Sequence, residues 1–151
     1  MKVCFSGTFN VLHKGHKHLI DKAYEIAGKR GTVYIGVTKD EMIKKKAFFK
    51  PLNQRKKAIQ DYISSKRYDS NSVIKPINDK YDEAAYGDFD VIIVSPGTIE
   101  NAKKINKKRI KNGKKPLRIV KISYVKAEDN KPISSTRILK KEIDENGRIL
   151  N

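Results

Sequence analysis

Five short β-branched apolar runs recur along the chain, and between them the apolar residues switch to helical spacing. That alternation predicts a parallel sheet with crossover helices, because parallel neighbours cannot be joined by tight hairpins. The predicted strands are Lys2–Ser6, Thr32–Val37, Ser72–Ile77, Phe89–Ser95 and Leu117–Ser123. Helices are predicted over Gly15–Ala27, Asn53–Lys66, Thr98–Asn112 and Ser134–Ile143. Leu19, Ile20, Ala23, Ile26 and Ala27 share one side of the first helix, and Ala58, Ile59, Tyr62 and Ile63 face inward on the second. Ile99, Ala102, Ile105 and Ile110 are the expected buried stripe of the third. With 151 residues, no internal repeat and no long linker, the expectation is one doubly wound α/β domain with a five-stranded parallel sheet, spanning residues 1–151.

The apolar run Val91–Val94 is far too short to span a membrane, which needs about 20 residues. No signal peptide is expected, since the start breaks into Ser6-Gly7-Thr8 before an apolar stretch develops. Cys4 is the lone cysteine and reads as a small buried hydrophobe, so a reducing, cytoplasmic setting is expected. The charge is lopsided: 34 Lys and Arg against 17 Asp and Glu give +17, and the stretch Asn101–Lys121 holds ten bases and no acid. This balance points to an anionic partner without naming it. Few aromatics interleave with those bases, so nucleic acid is not the expected partner.

In parallel sheets ligands bind beyond the carboxyl ends of the strands, where the strand order reverses. The first predicted strand ends in Gly7-Thr8-Phe9-Asn10, followed by His13-Lys14-Gly15-His16 at a helix start. Gly7 allows close approach to the backbone, Thr8 offers a hydroxyl and an amide, and His13 and His16 are one helical turn apart. Three readings of the histidines are open: a structural pair, zinc ligation with His18, or a shared phosphate. No Cys or carboxylate sits nearby to complete a zinc site, and the strand–Gly–helix setting favours phosphate. A second candidate is Ile133-Ser134-Ser135-Thr136-Arg137, three hydroxyl residues opening a helix after Pro132. Read alone it is a helix cap; beside the first motif it reads as a second phosphate site.

Gly7-Thr8-Phe9-x3-His13-x-Gly15-His16 resembles the HxGH signature of the nucleotidyltransferase superfamily, and Ile133–Arg137 resembles its second, ISSTxR-type signature. The resemblance covers nearly the whole chain. The ending KPISSTRILKKEIDENG, with Ala102-x2-Ile105-Asn106-x2-Arg109 and Val125-x-Ala127-Glu128-Asp129, is similar to the archaeal phosphopantetheine adenylyltransferases. It implies a Rossmann-like nucleotidyltransferase fold and AMP transfer from ATP to 4′-phosphopantetheine, with magnesium carried by ATP. By the same resemblance His16 and His13 would act on the α-phosphate and ATP, with His16 the main transition-state stabiliser. Thr8 would orient the acceptor phosphate, and the Gly7–Phe9 backbone would lie against the nucleotide. Ser134, Ser135, Thr136 and Arg137 would hold the leaving pyrophosphate. Lys46, from the run Lys44–Lys46, would bridge acceptor and α-phosphate, and Arg109 would reach the phosphates.

The departures are Asn10 where Asp is common, Gly97 where an acid is expected, and Leu139 and Lys141 where a basic residue and a glycine are expected. Other acceptors of the superfamily (FMN, nicotinamide mononucleotide, or glycerol 3-phosphate with CTP) remain the nearest alternative activity. A basic nucleic-acid-binding module is the alternative from another class. The sequence leaves the oligomeric state open, a homo-oligomer included.

Overall fold

The five apolar runs form five strands, and every pairing between them is parallel. A computed structural model gives the structure and describes residues 1–43, 49–79 and 82–150. In chain order the elements are β1 (Lys2–Gly7), α1 (Lys14–Ala27), β2 (Thr32–Thr38), a 3-10 turn (Asp40–Ile43), α2 (Leu52–Lys66) and β3 (Asn71–Ile77). They continue with α3 (Asp82–Tyr86), β4 (Val91–Val94), α4 (Ile99–Lys111), β5 (Arg118–Lys121) and α5 (Ser135–Leu139).

The sheet order is β3-β2-β1-β4-β5, so the chain winds outward on one side of β1 and then restarts on the other. The reversal falls between β1 and β4, which opens a crevice at their carboxyl ends.

Strand periodicity of two divides the core. Val3, Phe5, Val33, Ile35, Val37, Val91 and Ile93 face one side, where Ile20, Ala23, Tyr24 and Ala27 of α1 and Ile59 of α2 cover them. Cys4, Tyr34, Ile92 and Val94 face the other, covered by Ala85 of α3 and Ala102 and Ile105 of α4. With both faces covered, β4 is buried at all four positions. A third, smaller cluster of Ala127, Ile133 and Ile143 holds the chain after β5. There the backbone makes only isolated bridges, Lys126 to Pro132 and Ile143 to Ile149.

Five expectations need correction. The spacing predicts no helix where α3 lies, β4 is confined to Val91–Val94 rather than Phe89–Ser95, and β5 to Arg118–Lys121 rather than Leu117–Ser123. The last helix stops at Leu139 instead of Ile143, because Lys141 adopts φ +61°, outside the helical region. On α4 the inward position falls on Arg109, four residues after Ile105, while Ile110 is 59% exposed.

Candidate active site

A cleft of about 660 Å³ opens at the switch point, a volume suited to a nucleotide-sized ligand. Its lining joins Ser6–Asn10 from the end of β1 and His13, Gly15, His16 and Leu19 from the start of α1. Ser95 and Thr98 follow β4, Ile122–Val125 follow β5, and Ile133–Thr136 with Leu139 and Lys140 close the far side. The two signatures, more than a hundred residues apart in sequence, therefore face one space. No carboxylate lines it among the described residues, and Lys140 is the one amine.

The β1–α1 corner is tightly determined. His13 is the N-cap of α1, and its Nδ1 accepts from the amides of Gly15 (3.0 Å) and His16 (3.4 Å). His16 answers as the third residue of a capping box: its Nδ1 accepts from the amide of His13 at 3.3 Å. With Nδ1 accepting in both rings, each neutral imidazole carries its proton on Nε2. The rings stack at 3.7 Å and 19°. Burial pushes the His13 pKa down to about 4. Burial pushes His16 down to about 3, with His13 adding to the effect and a hydrogen bond to the Val11 backbone opposing it. Both rings are thus neutral N–H donors near pH 7.

Gly15 is needed for this cap, since a Cβ there would stand 2.9 Å from His13 Cε1. His18, the third member of the zinc reading, is exposed on α1. Among the described residues no group of His, Cys, Asp and Glu could hold a metal.

Phe9 adopts φ +51°, is buried, and packs its ring 5.0 Å from that of His16. Gly7 makes room for it: a Cβ would lie 3.1 Å from the Phe9 ring. The Thr8 hydroxyl accepts from Thr38 Oγ1 at 3.1 Å. Neither the Thr8 nor the Phe9 amide donates to another protein atom among the described residues. Successive amides turned by a left-handed residue form an anion-binding concavity. Asn10, the departure from an acid, keeps a structural bond, its Oδ1 accepting from the Lys50 amide at 2.7 Å.

The segment from Ile133 is placed otherwise. Ser134 Oγ caps α5 by accepting from the Arg137 amide at 3.2 Å. Ser135 Oγ ties to Val11, accepting from its amide (3.2 Å) and donating to its carbonyl (3.4 Å). Thr136 lines the cleft and makes no side-chain bond among the described residues. Arg137 does not line the cleft. Its guanidinium is paired with Asp129, donates to the Pro132 carbonyl at 3.1 Å and meets Glu142 at 3.4 Å. The hydrogen bond to Arg137 in turn holds the Asp129 carboxyl below its ordinary pKa. In this arrangement Arg137 is engaged by Asp129 and Glu142, and Leu139 and Lys140 stand toward the cleft.

The expectation that Arg109 reaches the phosphates is corrected. It is 4% exposed, and its guanidinium donates to the carbonyls of Lys115 (2.8 Å), Ala84 (3.0 Å) and Gly87 (2.8 Å). Those carbonyls precede β5 and β4, at the amino-terminal edge of the sheet, opposite the cleft. Lys46 lies outside the described residues, as do Lys44 and Lys45. Among the cleft residues that the sequence motifs do not mark are Tyr124, whose hydroxyl is 2.8 Å from where a Gly97 Cβ would stand, and Lys140. Arg55, which they do not mark either, lies under the loop after β1 rather than in the cleft. At 1% exposure it donates to the Thr8 carbonyl at 2.9 Å. A buried arginine on an otherwise polar helix stretch carries no periodicity signal, and only the fold reveals it.

Comparison with known proteins agrees with this geometry. Residues 4–141 match the family described as Cytidylyltransferase-like. A protein of Methanosarcina mazei named phosphopantetheine adenylyltransferase is 48% identical over 98% of this chain and 96% of its own length. One of the same name from Archaeoglobus fulgidus is 42% identical over 99% of this chain and 100% of its own. A crystal structure from Archaeoglobus fulgidus, described as of a protein of unknown function, is also similar. It superposes with a TM-score of 0.72 at 38% identity, covering 81% of this chain and 89% of that one. The fold, the two facing signatures and these relatives together place the chain in the cytidylyltransferase-like family.

Proposed function

We propose that the chain is a phosphopantetheine adenylyltransferase, making dephospho-coenzyme A and pyrophosphate from ATP and 4′-phosphopantetheine. The observation that carries this is the composition of the cleft: neutral imidazoles, hydroxyls and free amides, with no carboxylate among the described lining residues. Such a lining suits two polyanions and offers no general base. None is needed, because a phosphate monoester has a second pKa of about 6 and is largely dianionic near neutrality. The near full-length similarity to relatives bearing that name supports the acceptor.

In this reading an oxygen of the acceptor phosphate attacks the α-phosphorus of ATP. The new P–O bond forms as the bond to the bridging oxygen breaks, and pyrophosphate leaves with that electron pair. The Nε2–H groups of His16 and His13 stabilise the charge growing on the α-phosphate oxygens. The Thr8 and Phe9 amides and the Thr8 hydroxyl hold the phosphates in line. Thr136 and Lys140 are the free polar groups on the far side for the leaving pyrophosphate. Magnesium carried by the ATP phosphates would supply charge neutralisation there, without a protein carboxylate among the described lining residues to hold it.

A second, narrower cavity of about 50 Å³ shares Ser6, Ile93 and Thr98 with the cleft and runs between the sheet and α4, past Gly36, Ile77 and Ala102. A cytoplasmic setting, where both substrates are met, belongs to the same proposal; among the described residues no helix is long and apolar enough to cross a membrane.

The test is pyrophosphate release from ATP and magnesium with 4′-phosphopantetheine, run beside FMN, nicotinamide mononucleotide, and glycerol 3-phosphate with CTP. Release with phosphopantetheine alone is expected. Release with another acceptor alone would keep the phosphate chemistry and replace the acceptor. No release with any of them would overturn the assignment.

A further inference from the structure

Arg55 is the largest fully buried side chain of the chain's described residues, and the chemistry above makes no use of it. Its guanidinium satisfies three acceptors from three segments: Nε to the Lys50 carbonyl (2.7 Å), one terminal nitrogen to the Thr8 carbonyl (2.9 Å) and the other to Asp40 Oδ1 (2.8 Å). Asp40 Oδ1 also accepts from the Leu52 amide at 3.1 Å, and Asn10 accepts from Lys50. One planar cation therefore locks the loop after β1 to the 3-10 turn and to the start of α2. Burying a charge is expensive unless it is paired, and a hydrophobic residue would fill the same space at less cost. Its placement against Thr8 needs another reason.

The peptide that follows Thr8 supplies one. In a trans peptide the C=O and the next N–H point in opposite directions, and no cis bond occurs here. Holding the Thr8 carbonyl toward α2 aims the Phe9 amide the other way, and Phe9 needs φ +51° to continue from that peptide. A non-glycine residue there is held only where its surroundings over-determine it. We infer that Arg55 is a positioning residue for the transfer reaction, fixing the Thr8–Phe9 peptide so that the Phe9 amide and Thr8 hydroxyl meet the phosphates. This rests on the proposed function for its activity readout, and on anion binding by the loop for a second one that is independent of the acceptor.

The experiment compares the full chain with Arg55→Met and Arg55→Lys. Turnover is measured with ATP, magnesium and 4′-phosphopantetheine, and the Thr8 and Phe9 amide resonances are followed in a titration with ATP alone. Arg55→Met is expected to lose at least tenfold in kcat, with the KM for ATP changed by less than threefold and the Phe9 response to ATP lost. Arg55→Lys keeps the charge without the planar fork and is expected to recover part of the turnover. A folded Arg55→Met with a lowered Tm but ordinary kcat and an ordinary Phe9 response would overturn the inference, leaving Arg55 a support of the fold. Should Arg55→Met not fold, Arg55→Lys decides, because full kcat with an unaltered Phe9 response there has the same meaning. If the unaltered protein is inert toward phosphopantetheine, the proposed function fails while the ATP titration still reads the role of Arg55.

Discussion

The two corners that face each other across the cleft are held by opposite means. At the β1–α1 corner each histidine uses Nδ1 to cap the helix and carries its proton on Nε2, which His13 keeps free of protein partners among the described residues and His16 shares with the Val11 backbone. At the Ile133–Arg137 corner Ser134 caps α5, Ser135 is tied to Val11, and Arg137 is paired with Asp129. The first corner sits between a strand and a fourteen-residue helix packed on the main core. The second rests on a cluster of three buried residues and isolated bridges. A site built on the sheet can afford to bury neutral donors, whereas one built on a loop must first hold itself in place.

The sharpest way to break this comparison is at His16. His16→Ala is expected to lower kcat by roughly 10²–10³, as removal of one oxyanion-type donor does, with about 1 kcal/mol lost from the cap. Steady-state rates beside urea unfolding check it. A near-normal kcat would mean that the corner is a helix cap and nothing more.

Acid tests the same corner through stability. The unfolded chain titrates its histidines near 6.5, and the folded His13 near 4. Between those values the unfolded state holds more protons, so stability falls as pH drops through this window. His13 alone contributes a loss on the order of 3 kcal/mol by pH 4, at about 1.4 kcal/mol per unit. His13→Asn keeps an N-cap acceptor without a titrating ring and is expected to flatten the profile. Urea unfolding at pH 7, 5.5 and 4.5 measures it, and equal slopes in both proteins would place the acid sensitivity elsewhere.

The far corner gives a smaller effect of a different kind. Arg137→Met is expected to destabilise by about 1–3 kcal/mol, because it strips partners from Asp129 and the Pro132 carbonyl, while the KM for ATP stays within threefold. Lys140→Ala is expected to leave Tm alone and raise the KM for ATP several-fold. The reverse pattern would make Arg137 the phosphate ligand that its place in the signature implies.

How far the sequence reads can be seen in its arginines. Strand alternation and helical spacing were enough to place every strand and the cleft, because periodicity reports burial on a face directly. Gly7, His13, Gly15 and His16 were legible for a related reason: they are local, within ten residues of one strand end. Arg109 and Arg137 are not legible in the same way, because a guanidinium beside a phosphate and one beside carbonyls or a carboxylate look alike in a string of letters. What separates them is which end of the sheet each reaches, and whether an acid such as Asp129 folds back within range. Arg55 was overlooked for the same reason in reverse: its function depends on Thr8, 47 residues away in sequence.

The two corners also differ in how they use a left-handed residue, and this gives the smallest prediction. Phe9 at φ +51° is compensated by a ring buried against His16 and by the bond to the preceding carbonyl. Lys141 at φ +61° ends α5 with an exposed side chain that makes no bond among the described residues. The left-handed region costs an L-residue roughly 1–2 kcal/mol and glycine much less, though glycine gives part of that back as unfolded-state entropy. Lys141→Gly is therefore expected to stabilise by about 0.5–1 kcal/mol, a rise of about 1–4 °C in Tm for a chain of this size. Phe9→Gly, which relieves the same backbone but removes the ring, is expected to lower Tm by several degrees. Thermal melts of both variants decide it. If both substitutions raise Tm, the Phe9 ring does not stabilise the first corner, and the contrast between a packed and an unpacked left-handed residue fails.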